Sequence, residues 1–446
     1  MEWVRCWGTD DSESESEDGR SQSGPVFDNV FPTRKTKSNA TMQNLKASYT
    51  PIVERQVSAP VSAAPGSEFS VKQNALYADL LRLKSGMYTG LIRLTVRRGE
   101  HLFNDSYNET NRQHMSQFKY CSLGIYFTDF AIDDLGGPRR EWFSMMSNEF
   151  VNPTRGLFIA PGEDKSRFYP NPAAGTINSQ FLGHFRFAGI FIGKAIVEKC
   201  MVDCRFHRAF FKLILNKPVD FEDLKTVDPQ YAHSLQQILD NDVTDFGMSF
   251  DGEVNGKIVN FDPRGRSINV TEANKHEYVR RLTEIKLKLS IKPHLDKFLE
   301  GLHLIIPASS LSRFTAKELE FLICGKQDYD VADLKANTAY IGYTATSQVI
   351  TWFWQCVETF NAEERASLLQ FATGSRGAPP GGFAQLMGGY STPQMFTISM
   401  SHEKVTSLPR AGTCFNRIDL PQYVSFDDLK RKLLQAINYA PVGLLL

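Results

Sequence analysis

At 446 residues, with 42% apolar and 22% charged positions, the chain has room for two or three domains or one large bilobal one, and the makeup of an ordinary globular protein. Lys plus Arg and Asp plus Glu number 50 each, which excludes a global pull toward nucleic acid or acidic membranes, and no window approaches the ~18 uninterrupted apolar residues of a membrane span. The seven cysteines (Cys6, Cys121, Cys200, Cys204, Cys324, Cys356, Cys414) are odd in number and scattered, a reducing-compartment pattern rather than a disulfide framework.

The N-terminus has no apolar h-region, so the expected address is cytoplasmic, with the nucleus also open. Residues 1–68 run through DSESESED, PTRKTKSN and APVSAAPGS. Such segments bury too little apolar area to offset chain entropy, and a disordered tail is expected. Ser12 and Ser14 each stand three residues ahead of an acid, a pattern that suits an acid-directed kinase, although a solubilising tail is the simpler reading.

Order is expected from near Val71, where NALYADLLRLKSG sets Leu76, Leu80, Leu81 and Leu83 on a helical stripe. LIRLTVRR alternates as a strand, a helix follows from Glu100, SLGIYFTDF reads as a second strand, and REWFSMMSNEF restarts a helix. Helical patterns then continue to about 323 through FLGHFRFAGIFIGKAIVEKC, HRAFFKLILN, YAHSLQQILDN, KHEYVRRLTEIKLKLSI and TAKELEFLIC, with a short strand signal at INV (268–270). ICGKQDYD (323–330) breaks the series and marks a boundary near 325–328. Beyond it, QVITWFWQCVETF and EERASLLQFA are helical, MFTISM is a strand, the Cys414 stretch is a Pro-bounded loop, and FDDLKRKLLQAINYA is a closing amphipathic helix.

Two features imitate chemistry. GIFIGKA (189–195) has the wrong spacing for a phosphate loop, and Ala195 stands where a Mg-binding Ser or Thr is required; close helix packing explains its glycines better. Cys200 and Cys204 share a helical spacing but lack further Cys or His partners, so no metal site and no cofactor is expected. None of the nine histidines follows Cys414, which disfavours a papain-like hydrolase.

LPRAGTCFNRIDLP (408–421) leaves Cys414 open as a packed side chain, a ligand or a nucleophile. For the nucleophile, Pro409 and Pro421 limit the loop and Gly412 leaves room beside the sulfur. Thr413 and Asn416 supply polar groups to orient the thiol or steady an oxyanion, and Arg410 and Arg417 add positive charge favouring the thiolate.

This stretch resembles the active-site loop of the HECT family of ubiquitin-protein ligases. The resemblance continues, in family order, through IDDLGGPRREWFSMMSNEF (132–150), YPNP (169–172), FAGIFIGKAI (187–196), FFKLILNKPVDFEDL (210–224), ELEFLICG (318–325), WFW (352–354) and LLQFATGS…PPGGF (368–383). It covers about residues 90–446. It implies an α+β, bilobal fold: a mostly helical N-lobe (69–325, with a leading helix and a conjugating-enzyme-binding subdomain at about 205–305), a flexible hinge at Gly325, Lys326 and Gln327, and a smaller α/β C-lobe (326–446).

The resemblance further implies that Cys414 takes ubiquitin from a ubiquitin-conjugating enzyme as a thioester and passes it to a substrate lysine, with Thr413 and Asn416 supporting the loop. The matching docking positions are Tyr231, Leu235 and Ile238 on one helix and Tyr278 and Leu282 on another, each set on one face; plain core positions are the competing reading. Conjugating enzyme, ubiquitin and protein substrates are the partners expected, with neither nucleic acid nor membrane insertion. A stiffened joint, as in Gly325→Pro, is expected to slow transfer more than it weakens docking. Two positions depart from the family: Gly412 replaces the usual His before Thr-Cys, and Gly443 stands where a Phe is common. These departures motivate the alternative of a catalytically impaired adaptor. No recruiting module is recognisable ahead of residue 70, as expected of a short isoform or of a chain that relies on its disordered tail.

Overall fold

The computed structural model describes residues 68–84, 90–128, 137–254, 256–262, 264, 268–388 and 392–439. The tail through residue 67, with Ser12 and Ser14, and the ending that holds Gly443 lie outside the described residues. Two hydrophobic cores organise the rest. One gathers side chains from Leu76 to Cys324, the other from Tyr329 to Ile437.

Helix α1 (Glu68–Lys84) opens the first lobe. Phe69 meets the rings of Phe314 and Phe321, Leu76 is fully buried, and Lys72 and Asp79 pair with Glu318 and Arg313. The expected four-leucine stripe is narrower than its spacing suggested. Leu81 and Leu83 are exposed, because α1 touches the lobe along one edge instead of lying in a groove. Strands β1 (Leu91–Val96) and β2 (Ser122–Phe127) pair in parallel from Leu91↔Ser122 to Val96↔Phe127, with α2 (Leu102–Arg112) between them. A parallel pair needs such a crossover.

Helices α3 (Gly137–Val151) and α4 (Phe181–Val197) carry most of the large aromatic core. The glycines of GIFIGKA are packing glycines. A Cβ on Gly189 would stand 2.0 Å from Phe298 O, and one on Gly301 would stand 1.9 Å from Arg186 O, so α4 and α7 (Lys292–Ile305) meet backbone to backbone. Lys194 is buried, 2.9 Å from both Glu198 and Cys121 O; Glu198 in turn holds Arg139 at 2.9 Å and accepts from Leu123 N at 3.0 Å. That network ties α4 to β2 and α3, with each buried charge partnered.

A small subdomain is built from α5 (Pro229–Asp240), α6 (Lys275–Glu284) and a hairpin of β3 (Asp251–Val254) and β4 (Lys257–Asn260). It has its own cluster of Val243, Phe250 and Val270. INV contributes a single bridge, Ser249↔Asn269, rather than a strand, and α6 gives way to a π-type turn over Ile285–Leu289. Helix α8 (Ala316–Cys324) ends the first lobe, capped reciprocally by Thr315 and Glu318.

The second lobe wraps a four-stranded sheet, ordered β5 (Thr338–Ile341), β6 (Phe396–Ser401), β8 (Arg417–Pro421), β7 (Arg410–Gly412). β5–β6 and β6–β8 are parallel, while β8–β7 is antiparallel. Helices α9 (Gln348–Glu358), α10 (Ala362–Thr373) and α11 (Phe426–Tyr439) complete it. The fold is α+β and bilobal. Among the described residues no helix is long and apolar enough to cross a membrane.

Candidate active site

The Cys414 stretch is less of a loop than its prolines suggested. β7 and β8 form a hairpin, with Gly412 opposite Arg417 and Arg410 opposite Asp419. A single 3-10 turn, Thr413–Phe415, joins them and puts the cysteine at its middle. Asn416 closes the turn in the left-handed region at φ 49°, a conformation Asn tolerates better than most residues. Its side chain is wholly buried. Nδ2 donates to Met387 O at 2.9 Å and to Gln394 O at 2.8 Å, and Oδ1 accepts from Arg140 Nη1 at 2.9 Å. Both amide donors are therefore engaged by backbone carbonyls. Asn416 holds the turn and has no donor left for an oxyanion; that part of the expectation is corrected. Thr413 is buried beside it.

Cys414 is partly exposed, whereas Cys121, Cys200, Cys204, Cys324 and Cys356 are buried. Burial pushes the Cys204 thiol up to about 12 and the Cys356 thiol up to about 11, and raises Cys324 well above its ordinary value. Thiols of that kind carry almost no thiolate at neutral pH. Cys200 and Cys204 direct their sulfurs at different carbonyls, those of Glu198 and Ser147.

The surroundings of the thiol differ from the local reading in two ways. Gly412 does not make room for the sulfur: the atom nearest a Cβ there is Arg417 Nε at 3.6 Å. The glycine that does so is Gly137, the first residue of α3, where an added Cβ would fall 2.3 Å from Cys414 Sγ. Arg410 and Arg417 are also neutralised, by Glu403 at 3.3 Å and Asp419 at 3.0 Å. Short-range pairing removes most of their net field at the sulfur. The cation that reaches the turn is Arg140, one helical turn along α3. Its Nη1 donates to Thr413 O at 2.9 Å and to Thr373 O at 3.2 Å, and its Nη2 donates to Met387 O at 2.7 Å. Sequence reasoning placed this segment in the large lobe but assigned Arg140 no role. Only its position on a helix starting with the small residue under the thiol marks it out.

At the joint, Gly325 sits at φ +69°, and a Cβ would meet Met201 Sδ at 2.5 Å and Ala378 O at 2.7 Å. Lys326 and Ala378 exchange both backbone hydrogen bonds at 2.8 Å, and Gln327 Nε2 donates to Cys324 O at 3.1 Å. Proline at 325 needs φ near −65° and removes the N–H that donates to Phe321 O. Gly325→Pro would break this joint instead of stiffening it. Elsewhere between the lobes Gln370 Nε2 donates to Ser144 Oγ at 3.2 Å. Burial pushes the Asp203 carboxyl up to about 6, opposed by the charges of Arg376 and Arg205. A cavity of about 300 Å³ lies where α1, the Lys199–Met201 turn, the 373–387 segment and Pro393 meet.

The two stripes expected to receive a conjugating enzyme largely pack inward. Leu235 is 2% exposed and Leu282 8%. Tyr231, Ile238 and Tyr278 are half-buried, the last against Phe250 and Phe261 at 5.9 and 5.8 Å between ring centroids. α5 and α6 pack on each other and on the main core, so Leu235 and Leu282 are core positions. Among the described residues, the large outward apolar side chains of this subdomain are Phe246 and Ile258, 58% and 53% exposed. Their sequence signal was faint: one aromatic in a polar loop and one residue of a four-residue strand.

Comparison with known proteins agrees with this architecture. The profile of the HECT-domain (ubiquitin-transferase) family matches residues 144–444. The chain is 41% identical over 355 residues to the E3 ubiquitin-protein ligase TOM1 of Saccharomyces cerevisiae, covering 78% of this chain and 11% of that protein. Identity to the E3 ubiquitin-protein ligase ptr1 of Schizosaccharomyces pombe is 38% over 381 residues, covering 84% and 12%. Identity to the E3 ubiquitin-protein ligase HACE1 of Bos taurus is 43% over 314 residues, covering 69% and 34%. The chain thus spans only a fraction of each relative's length. With its family profile, its two-lobed α+β fold and the cysteine turn between them, the chain belongs to the HECT-domain (ubiquitin-transferase) family.

Proposed function

We propose that this chain is a ubiquitin-protein ligase that carries ubiquitin on Cys414. The observation that supports this most directly is the contrast between the partly exposed Cys414, on a turn pinned by Asn416, and the five buried cysteines. In the first step the Cys414 thiolate attacks the thioester carbonyl joining ubiquitin to a conjugating enzyme. The S–C bond to Cys414 forms, and the conjugating enzyme's thiolate leaves. In the second step a substrate lysine amine attacks the new thioester, an amide bond forms, the amine proton is lost, and the Cys414 thiolate is released. Thioester exchange is close to neutral in energy, so the first step needs alignment more than force.

In this reading residues 69–325 receive the conjugating enzyme and residues 326–446 carry the cysteine, pivoting at Gly325–Gln327. Phe246 and Ile258 are the apolar anchors for the conjugating enzyme, with the half-buried Tyr231, Ile238 and Tyr278 behind them. A cytoplasmic address, with the nucleus also open, belongs to the same proposal. The test incubates the full chain with ubiquitin, activating enzyme and conjugating enzyme. A ubiquitin adduct that thiol reductant removes, and that Cys414→Ala abolishes, is the expected result. An adduct that survives Cys414→Ala overturns the assignment. Conjugating-enzyme binding without any adduct points instead to an adaptor.

A further inference from the structure

We propose that Arg140 of the large lobe is a positioning residue for the Cys414 thiol, so that the nucleophile is assembled from both lobes and only while they are docked. The proposal rests on the reading of Cys414 as the reacting group.

Among the described residues, all four groups that accept from the Arg140 guanidinium belong to the small lobe: Thr373 O, Met387 O, Thr413 O and Asn416 Oδ1. Two of them are the residues on either side of the Cys414–Phe415 dipeptide. A third, Met387 O, also accepts from Asn416. Arg140 and Asn416 thus close one network around the turn, a task that suits the planar, forked guanidinium and that an ammonium cannot reproduce. Among the described residues the hydrogen-bond partners of Arg140 are carbonyl and amide oxygens and not carboxylates. Burial lowers its basicity, and negative charge on Cys200 or Cys414 opposes that loss. The interaction is reciprocal, so the cation favours the Cys414 thiolate. The same helix supplies a second contact. The sulfur rests on Gly137 of α3. Among the described residues, three other charged side chains near the turn are paired: Arg410 with Glu403, Arg417 with Asp419, and Arg139 with Glu198. When the lobes separate, the thiol loses Arg140 and its seat on Gly137 together.

The test needs no ubiquitin. The full chain is treated with iodoacetamide across a pH series, and the alkylation rate at Cys414 is followed by mass spectrometry of its peptide. The plateau rate reports access, and the midpoint reports acidity. The expected result for Arg140→Gln is a midpoint raised by about one pH unit, with Arg140→Lys intermediate because it keeps charge and loses the fork. Gly137→Ala is the second variant. The three atoms nearest its new Cβ all belong to Thr413 and Cys414, so it unseats the turn without touching the core of the large lobe, and it too should raise the midpoint. Should Arg140→Gln unfold, Gly137→Ala carries the test. Midpoints equal to wild type in the folded variants overturn the proposal. Failure of ubiquitin loading would overturn the ligase reading and leave the alkylation result standing.

Discussion

Arg140 Nη1 and Asn416 Oδ1 meet at 2.9 Å across the two lobes, a pair 276 positions apart in the chain. Asn416 is where the demands on the turn converge: a left-handed backbone, two carbonyls to satisfy, and the guanidinium. Replacing it tests them separately. Asn416→Gly keeps the backbone and drops the side chain, while Asn416→Ala loses both. Each takes the Asn416 donor from Gln394 O, at about 1–3 kcal/mol for an unpaired group, while Met387 O keeps Arg140. Ubiquitin loading at Cys414 should fall at least tenfold in both, with Ala the worse. Loading at the wild-type rate in Asn416→Ala would remove Asn416 from the site.

The small subdomain offers a contrast between outer and inner apolar residues. Phe246→Ala and Ile258→Ala should weaken conjugating-enzyme binding by about tenfold each and leave the melting temperature within a degree or two. Leu235→Ala should cost about 2–5 kcal/mol of stability through the cavity it opens. Titration calorimetry beside thermal melts separates the two behaviours. Unchanged affinity in the Phe246 and Ile258 variants would move the docking surface elsewhere.

Asp203 makes the seam between the lobes sensitive to pH. Its carboxyl is raised to about 6 by burial, so folding favours the protonated form. The stability this contributes is fully present below the unfolded value near 4 and is lost as pH rises through 6. Asp203→Asn should therefore melt a few degrees higher than wild type at pH 7.5 and no higher at pH 4. A stabilisation independent of pH would show that charge is not the cause.

Gly325 is the position where the joint tolerates least. Alanine there brings both a strained φ and contacts of 2.5 and 2.7 Å, so Gly325→Ala should lower the melting temperature as well as ubiquitin transfer. Lys326→Ala keeps its backbone bridge and should leave both nearly unchanged. A normal melting temperature in Gly325→Ala would mean that the joint yields more readily than its packing implies.

Periodicity carried far in this chain. The principal helices of both lobes and the strands at 91–96, 122–127 and 396–401 were legible from spacing and turn residues alone, whereas Cys414 stood out only through the family resemblance. What misled was the assumption that neighbours in sequence are neighbours in space. Gly412, Arg410 and Arg417 looked like the surroundings of Cys414 because they flank it, yet strand pairing turns the arginines toward Glu403 and Asp419. The actual neighbours, Gly137 and Arg140, arrive from another lobe. Helical spacing likewise shows that Leu235 and Leu282 lie on apolar faces, but not whether a face meets solvent or another helix. For α1 the reverse holds: Leu81 and Leu83 follow the pattern yet stay exposed.

The Lys326–Ala378 bridge gives the joint the character of an axle rather than a thread. Two chain segments run side by side there, so the small lobe can turn about them more easily than it can wander. Ala378 also lies on the stretch from Thr373 to Met387, whose two end carbonyls are held by Arg140. The catch and the axle are parts of one loop. Releasing the cysteine turn from the large lobe and turning the lobe are then a single mechanical event, and a change anywhere along that loop should alter both.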